Sequence, residues 1–221
     1  MAQSDPIFTL IGDLVGSRGA ADRPQLQQTL GESLMRMNEA LEPVLALEPT
    51  IGDEFQGGFD SVAGAVRASL LVRLELLRVA EVDTRYGLGY GAITVFSDRS
   101  PVSQDGPGWW TARSAIDRAS ELAAAPHTSF ARTCFEHWPE DAGVSPMEGS
   151  ALNAFLICRD AMVDRMNAPS RRRLFGLLRG WSQSKIALEE GTTQGAISQN
   201  LARSGAFAIQ AAQERLKEQS G

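Results

Sequence analysis

The sequence is poor in the residues and segments that mark several protein classes. Its only cysteines are Cys134 and Cys158, which excludes a disulfide framework, and no Cys or His cluster has the spacing of a zinc site. No apolar run approaches the roughly 18 residues that cross a membrane. The first ten residues lack a basic start followed by an apolar stretch. We therefore expect a cytoplasmic protein with no secretion signal and no membrane partner.

Lysine is missing from the first 158 residues, which contain 11 arginines against 21 acidic residues. Residues 159–221 instead contain ten basic residues against six acidic ones. An acidic body followed by a basic end predicts that the two parts contact different partners. The alternative is chance clustering of solvated charges. The length allows one domain of about 150 residues and a small helical one.

Apolar periodicity predicts alternating strands and helices in the first hundred residues. The predicted order is β-α-β-β-α-β, an α+β fold with a ferredoxin-like sheet. A Pro-containing segment at 167–170 predicts a boundary between domains 1–166 and 170–221. The predicted strands are 7–11, 44–51, 55–59 and 84–96, and the predicted helices are 24–42, 61–80, 109–124 and 151–166.

Two Gly-Asp dipeptides carry the chemistry of the predicted sheet. Asp13 follows the first strand, and Asp53 and Glu54 lie at the tip of the predicted hairpin. In a ferredoxin-like sheet the first strand and the hairpin are neighbours, so Asp13 and Asp53 can face one another. Carboxylates that share one spot repel unless a cation lies between them. We therefore predict a Mg²⁺ or Mn²⁺ site that bridges phosphate oxygens of a nucleotide.

Each motif also has a purely structural interpretation, because most Gly-Asp turns only stabilise a hairpin. The predicted nucleotide contacts around the metal have similar alternatives. Arg18 is either a phosphate ligand or a surface ion-pair residue, and Asp105 lines the cleft or is a plain turn residue. Of Trp109 and Trp110, at least one is expected in the core rather than on a base. The predicted nucleotide-binding residues are Leu14, Gly16, Arg18, Gln56 and Asp105.

The C-terminal segment 183–203 has the pattern of a helix-turn-helix. Ser182 caps a first helix that buries Ile186 and Leu188, and Gly191 provides the turn. The second helix begins near Thr193 and is expected to bury Ala196, Ile197 and Leu201. The alternative is a helical oligomerisation module. The predicted DNA contacts are Gln194, Ser198, Gln199 and Arg203, with Arg171 and Arg172 of the preceding helix contacting phosphates.

Three segments together resemble the SatD family over nearly the whole chain. They are IGDLVGSR, TIGDEFQGG and DGPGWWTAR, in that order. More distantly, the N-terminal half resembles the palm domains of class III adenylate and guanylate cyclases and of GGDEF diguanylate cyclases. That resemblance implies that Asp13, Asp53 and Glu54 bind metal, and that Leu14 offers its carbonyl to the ion. It also implies that Arg113 is the catalytic arginine.

The sequence departs from the cyclase pattern at three positions. Pro49 stands where a base-selecting Lys is common, and Ile51 replaces the first glycine of GGDEF. Trp109 stands where cyclases carry an Asn four residues before the arginine. These departures favour ligand binding over turnover.

Three functions therefore remain open. The leading one is a DNA-binding regulator, expected to be a homodimer, with a metal- and nucleotide-binding sensor domain. The second is an active Mg²⁺-dependent nucleotidyl cyclase. The third gives both halves a structural role in a larger complex.

Overall fold

A five-stranded sheet forms the centre of the N-terminal part of the computed structural model, which describes residues 5–16, 22–97, 103–141 and 143–218. The strands are β1 (Ile7–Leu14), β2 (Leu45–Pro49), β3 (Glu54–Phe59), β4 (Thr84–Gly91) and β7 (Thr133–His137). The strand order is β2-β3-β1-β4-β7. The neighbouring pairs are antiparallel except β4 and β7, which are parallel.

The predicted β-α-β-β-α-β order is confirmed by the first six elements. Helix α1 (Arg23–Leu41) connects β1 to β2, and α2 (Val62–Val79) connects β3 to β4. The predicted strand 84–96 is wrong in its second half. The chain leaves β4 at Gly91, and β5 (Thr94–Val95) pairs with β6 (Gln104–Asp105) in a separate two-stranded sheet.

The two faces of the large sheet are covered in different ways. On one face, α1 and α2 pack through large apolar side chains such as Leu10, Leu30 and Leu70, which are fully buried. On the other face, α3 (Pro107–Ala124) lies directly on the backbone of β4. A Cβ on Gly87 would lie 2.0 Å from the carbonyl oxygen of Ala112 in α3. The alternating glycines of β4 are therefore required for this close approach.

Helix α4 (Pro146–Asp164) begins five residues before the predicted start at residue 151. The cause is a capping box, in which the Ser145 side chain accepts from the Glu148 N–H and the Glu148 carboxylate accepts from the Ser145 N–H. Strand β7, which precedes α4, is not among the predicted strands, because its sequence TCFEH has no clear apolar pattern and the nearby Pro139 and Pro146 favour irregular structure.

Four helices form the C-terminal part, and the first and the last of them pack against α2. Their apolar side chains, including Leu174, Ile197 and Leu201, are continuous with the core of the sheet domain. The predicted domain boundary stays a prediction. The helices are α5 (Ala168–Leu178), α6 (Gln183–Glu189), α7 (Gln194–Ser204) and α8 (Ala206–Glu218).

Two predicted core positions of these helices are wrong. Leu188 is 83% exposed, because α6 buries the neighbouring Ile186 and Ala187 instead. Ala196 is exposed in the first turn of α7, where the neighbouring Ile197 occupies the core. Within the described ranges, no helix combines the length and the apolar character that crossing a membrane requires.

Candidate functional site

Asp13 lies inside β1, with charged residues on both neighbouring strands. It pairs with Glu54 on β3 and with Arg85 on β4. The prediction that Asp13 follows the strand in a loop, and that Glu54 lies at the hairpin tip, is therefore wrong. Pairing on both sides extends β1 to Leu14 despite the low strand propensity of glycine and aspartate. All three side chains consequently project from the face of the sheet that α3 covers.

The hairpin between β2 and β3 brings Asp53 to the same edge. The N–H of Leu14 donates to the carbonyl of Asp53 at 3.3 Å. Gly52 has a φ of 70°, the left-handed conformation that this tight turn needs. Gln27 of α1 donates to the Gly52 carbonyl at 2.6 Å and holds the turn in place. We call the group of Asp13, Asp53, Glu54, Arg85 and Arg113 the acidic edge.

Two arginines partner the carboxylates of the acidic edge. Arg113 of α3 donates both terminal nitrogens to Glu54, at 2.8 and 2.7 Å. Arg85 donates to one oxygen of Asp13, Oδ2, at 3.4 Å, which is a weak contact. The close packing of α3 on the glycines of β4 is what carries Arg113 to this position. The cyclase resemblance implies a role for Arg113 and none for Arg85.

The carboxylate of Asp13 is only partly satisfied by hydrogen bonds and neighbouring charges. Its Oδ1 atom is buried and has no hydrogen-bond partner within the described part of the chain. Burial raises the pKa of Asp13, the charges of Asp53 and Glu54 raise it further, and Arg85 and Arg113 only partly offset them. The hydrogen bonds to Glu54 raise the pKa of Arg113. A buried carboxylate oxygen without a partner is costly, so this atom would gain from a cation.

The acidic edge fits a cation held by few protein ligands. No group of three or more His, Cys, Asp or Glu side chains within residues 5–16, 22–97, 103–141 and 143–218 is arranged to hold a metal ion. Mg²⁺, however, is usually bound through one or two carboxylates and the phosphates of its ligand. Asp13 and Asp53 lie close enough for their charges to interact, as such a pair requires, and the Glu54 carboxylate accepts from both terminal nitrogens of Arg113.

The other predicted nucleotide-binding residues are spread more widely. Gly16 turns the chain after β1 with a φ of 76°, and Arg18 lies outside the described residues. Gln56 is on β3, two residues beyond Glu54, opposite Ile11 of β1. Asp105 is not brought to the acidic edge. Its carboxylate accepts from the N–H of Gly106 and from the indole of the half-exposed Trp110 at the start of α3.

A second group of charges lies beside the acidic edge and was not predicted. Asp83 precedes β4, and its carbonyl accepts from the N–H of Val15 at 2.8 Å. Val15 follows Asp13 by two residues. Its carboxylate accepts from Arg73 and Arg132, and the buried Asp160 accepts from Arg159. Scattered arginines and aspartates give no periodic signal. We call Arg73, Asp83, Arg132, Arg159 and Asp160 the paired cluster.

The predicted DNA contacts lie on helices α5 and α7. On α7, Gln194, Gln199 and Arg203 are exposed and Ser198 is half-buried. On α5, Arg172 is exposed and lies 3.8 Å from Glu190. Arg171 donates instead to the carbonyls of Val163 and Asp164 at the end of α4, at 3.2 and 2.9 Å, so that it also has a structural role.

Comparison with known proteins identifies the family. The SatD family profile matches residues 7–129, which is more than half of the chain, and the chain belongs to the SatD family. The family predicted from the three segments is therefore confirmed. No curated protein matches the sequence.

Among solved structures, about half of the chain is similar in fold to nucleotide cyclases. A bacterial light-regulated adenylyl cyclase shares 18% identity over 53% of this chain and 72% of its own, with a TM-score of 0.42. The guanylyl cyclase domain of the RhoGC fusion protein from Blastocladiella emersonii shares 15% over 53% and 76%, with a TM-score of 0.43. The adenylyl cyclase CyaB from P. aeruginosa shares 17% over 51% and 72%, with a TM-score of 0.39.

Proposed function

We propose that this SatD-family protein is a DNA-binding regulator whose sheet domain binds Mg²⁺ or Mn²⁺ together with a nucleotide. The observation that supports the cation and nucleotide site is the buried Oδ1 of Asp13, which has no hydrogen-bond partner in the described structure and lies next to the hairpin that bears Asp53. A carboxylate kept in this state costs stability, which is typical of binding sites rather than of scaffolds.

The residues of the acidic edge would contact different parts of the ligand. Asp13 and Asp53 would hold the ion, with the carbonyl of Leu14 as a further ligand. The bound ion would neutralise the phosphate oxygens of the nucleotide. Arg113 would exchange Glu54 for a phosphate oxygen, because both are anions that suit the planar guanidinium. Glu54 would be free to join the ion only after that exchange.

Cation binding is tested by titrating Mn²⁺ into the protein with and without each nucleoside triphosphate, followed by calorimetry. We expect saturable binding that Asp13→Asn weakens at least tenfold. Asp60→Asn is the matched control, since Asp60 is exposed at the opposite end of β3. Equal binding by the wild type and Asp13→Asn would reject the cation site.

The proposal assigns DNA binding to a helix-turn-helix made of α6, the turn at Gly191 and α7. Gly191 has a φ of 62°, and Thr193 caps α7 by accepting from the N–H of Ala196. The polar face of α7 is solvent-accessible over its length, as insertion into a major groove requires. One such unit reads only a few base pairs, so a homodimer is part of the proposal.

DNA binding is tested with a pool of random duplexes and a salt series. Arg203→Ala should weaken binding about tenfold, and Arg172→Ala should also lower the salt slope by about one. Arg215→Ala is the control, because Arg215 is 80% exposed on α8 and outside the proposed surface. If no duplex binds at low salt, the regulator assignment fails. If Arg203→Ala changes only the mass of the particle in light scattering, these helices assemble subunits instead.

One observation favours an active nucleotidyl cyclase as a second candidate. Helix α3 places Arg113, the arginine indicated by the cyclase resemblance, directly against Glu54 of the acidic edge. Trp109, at the position of the cyclase Asn, is 7% exposed and belongs to the core. Incubation with Mn²⁺ and each nucleoside triphosphate, followed by mass spectrometry, should yield a cyclic product that Arg113→Ala removes. Intact triphosphate in every reaction would reject this candidate.

A further inference from the structure

A small cavity of about 190 Å³ lies where the C-terminal helices meet α2. Arg67 of α2, Arg179 at the end of α5 and Lys217 of α8 line it. A water molecule occupies about 30 Å³ of the liquid, so the cavity has room for a small oxyanion and a few waters. Three cations from three helices thus converge on one small space.

The cavity also contains two hydrogen-bond donors without partners. Gln213 of α8 is 5% exposed and lines the cavity, and its Nε2 atom has no acceptor in the described part of the chain. The Nη1 atom of Arg179 is likewise buried and without an acceptor there. A buried donor that lacks an acceptor destabilises the fold, so an acceptor inside the cavity would be strongly favoured.

Few negative groups face these cations. The carbonyl of Leu178 accepts from Arg67 at 2.9 Å, and Glu214 is the carboxylate that lines the cavity. Across the described ranges, none of Arg67, Arg179 and Lys217 forms an ion pair within 4.0 Å. Burial lowers the pKa of Arg67, and the neighbouring charge of Arg179 lowers it further. Arg67 and Arg179 therefore repel one another, and neither has a carboxylate within ion-pair distance in the described structure.

We propose that this cavity binds a phosphate-sized oxyanion, either inorganic phosphate or the phosphate group of a small monoester. The anion would accept from Arg179 and Gln213 and would neutralise the repulsion between Arg67 and Arg179. Since its ligands come from α2, α5 and α8, a bound anion would fasten the C-terminal helices to the sheet domain. The site is independent of the acidic edge and of DNA binding.

The first experiment titrates inorganic phosphate into the full-length protein by calorimetry and follows thermal unfolding over the same concentrations. We expect saturable binding and a melting temperature that rises with phosphate. Arg179→Gln should weaken binding tenfold or more, on the order expected for a lost charge-assisted hydrogen bond. Arg215→Gln removes the same charge from the exposed side of α8 and should bind as the wild type does. Equal loss in both variants, or no binding to the wild type, overturns the site.

The second experiment places the negative charge in the protein itself. Gln213→Glu keeps the shape of the side chain and sets a carboxylate beside Arg67 and Arg179. We expect this variant to melt higher than the wild type in phosphate-free buffer and to lose its response to phosphate. Gln25→Glu, at an exposed position of α1, is the control with the same charge change and should keep the wild-type response to phosphate. A Gln213→Glu protein that still responds to phosphate like the wild type contradicts the proposal.

A nucleoside monophosphate, titrated in the same way, distinguishes the source of the phosphate. Tighter binding than that of inorganic phosphate, again lost in Arg179→Gln, assigns the site to a monoester. Weaker binding assigns it to the free ion, because the ester group then has no contacts outside the cavity. If Arg179→Gln leaves the binding unchanged, the monophosphate binds at another site, and this outcome counts against the proposal.

Discussion

The acidic edge and the paired cluster contain the same residue types at neighbouring places, yet their carboxylates are satisfied to different degrees. Both oxygens of Asp160 accept hydrogen bonds, from the Arg159 side chain and from the N–H of Arg132. Both oxygens of Asp83 accept as well. Asp13, in contrast, has one weak partner and one oxygen without any among the described residues. The carboxylates of the paired cluster are thus fully hydrogen-bonded, although the Nη1 atom of Arg73 in that cluster has no hydrogen-bond partner in the described structure. The Asp13 carboxylate of the acidic edge is not fully hydrogen-bonded.

The pKa values follow the same division. Burial would raise the pKa of Asp83, but Arg73 and Arg132 lower it below its usual range. Burial also raises the pKa of Asp13, and there the arginines fail to reverse the effect. The charges of the paired cluster therefore stabilise the fold, whereas the charge of Asp13 opposes it. Four carboxylate-to-amide substitutions, each of nearly constant shape, test this contrast.

Asp160→Asn should destabilise the protein most, by about 3–5 kcal/mol, because it leaves the buried Arg159 without its counter-charge and removes one of the two carboxylates near Arg73. Urea unfolding measured at neutral pH gives this value. Asp164→Asn, at an exposed position of the same helix, should change stability by less than about 0.5 kcal/mol. A loss of under 1 kcal/mol for Asp160→Asn would mean that the paired cluster does not hold the fold together.

Asp83→Asn should cost about 2–3 kcal/mol at neutral pH through its weakened bonds to Arg73 and Arg132. Since folding lowers the pKa of Asp83, its contribution is fully present above the usual aspartate range, near pH 4, and declines as the pH falls through the folded value. The difference between the wild type and Asp83→Asn should therefore shrink in acid. A difference that does not depend on pH would contradict the ion pairs.

Much of this contrast can be read in the sequence only once the fold is known. Apolar periodicity and the Gly-Asp turn are local signals, and they sufficed to predict the order of the first six elements and the position of the Asp53 hairpin beside the end of β1. The partners of Asp13 and Asp83 are contributed by distant elements. Arg85 reaches Asp13 only through strand register, and Arg132 reaches Asp83 through a loop before β7.

The glycines of β4 illustrate a second limit. Their alternation is visible in the sequence, but a glycine does not state which neighbour it accommodates. The structure shows that Gly87 and Gly89 lie against the backbone of α3, which in turn brings Arg113 to Glu54. In the helical part, amphipathic spacing correctly predicted the buried Ile186 and Ile197 but placed Leu188 inward, since adjacent turns of short helices differ little in pattern.

Asp13→Asn should have the opposite effect on stability. It should raise the free energy of unfolding at neutral pH by on the order of 1 kcal/mol, while it weakens Mn²⁺ binding. Folding raises the pKa of Asp13, so its ionised form opposes folding above the folded value and has no such effect below the usual aspartate range. The gain from Asp13→Asn should therefore be largest at neutral pH and disappear in acid. Urea midpoints at several pH values measure it, and a loss of stability at neutral pH would show that Arg85 compensates Asp13 fully.

Glu54→Gln should change stability least, by no more than about 0.5 kcal/mol, because its pair with Arg113 is exposed to solvent on both sides. Its effect on Mn²⁺ binding is more informative than its effect on stability. Asp13 has an oxygen free of hydrogen bonds in the described structure, whereas both oxygens of Glu54 accept from Arg113. Mn²⁺ affinity, measured by the same calorimetry, should thus fall less in Glu54→Gln than in Asp13→Asn. The reverse order would make Glu54 the primary ligand and would require Arg113 to leave it before any ion binds.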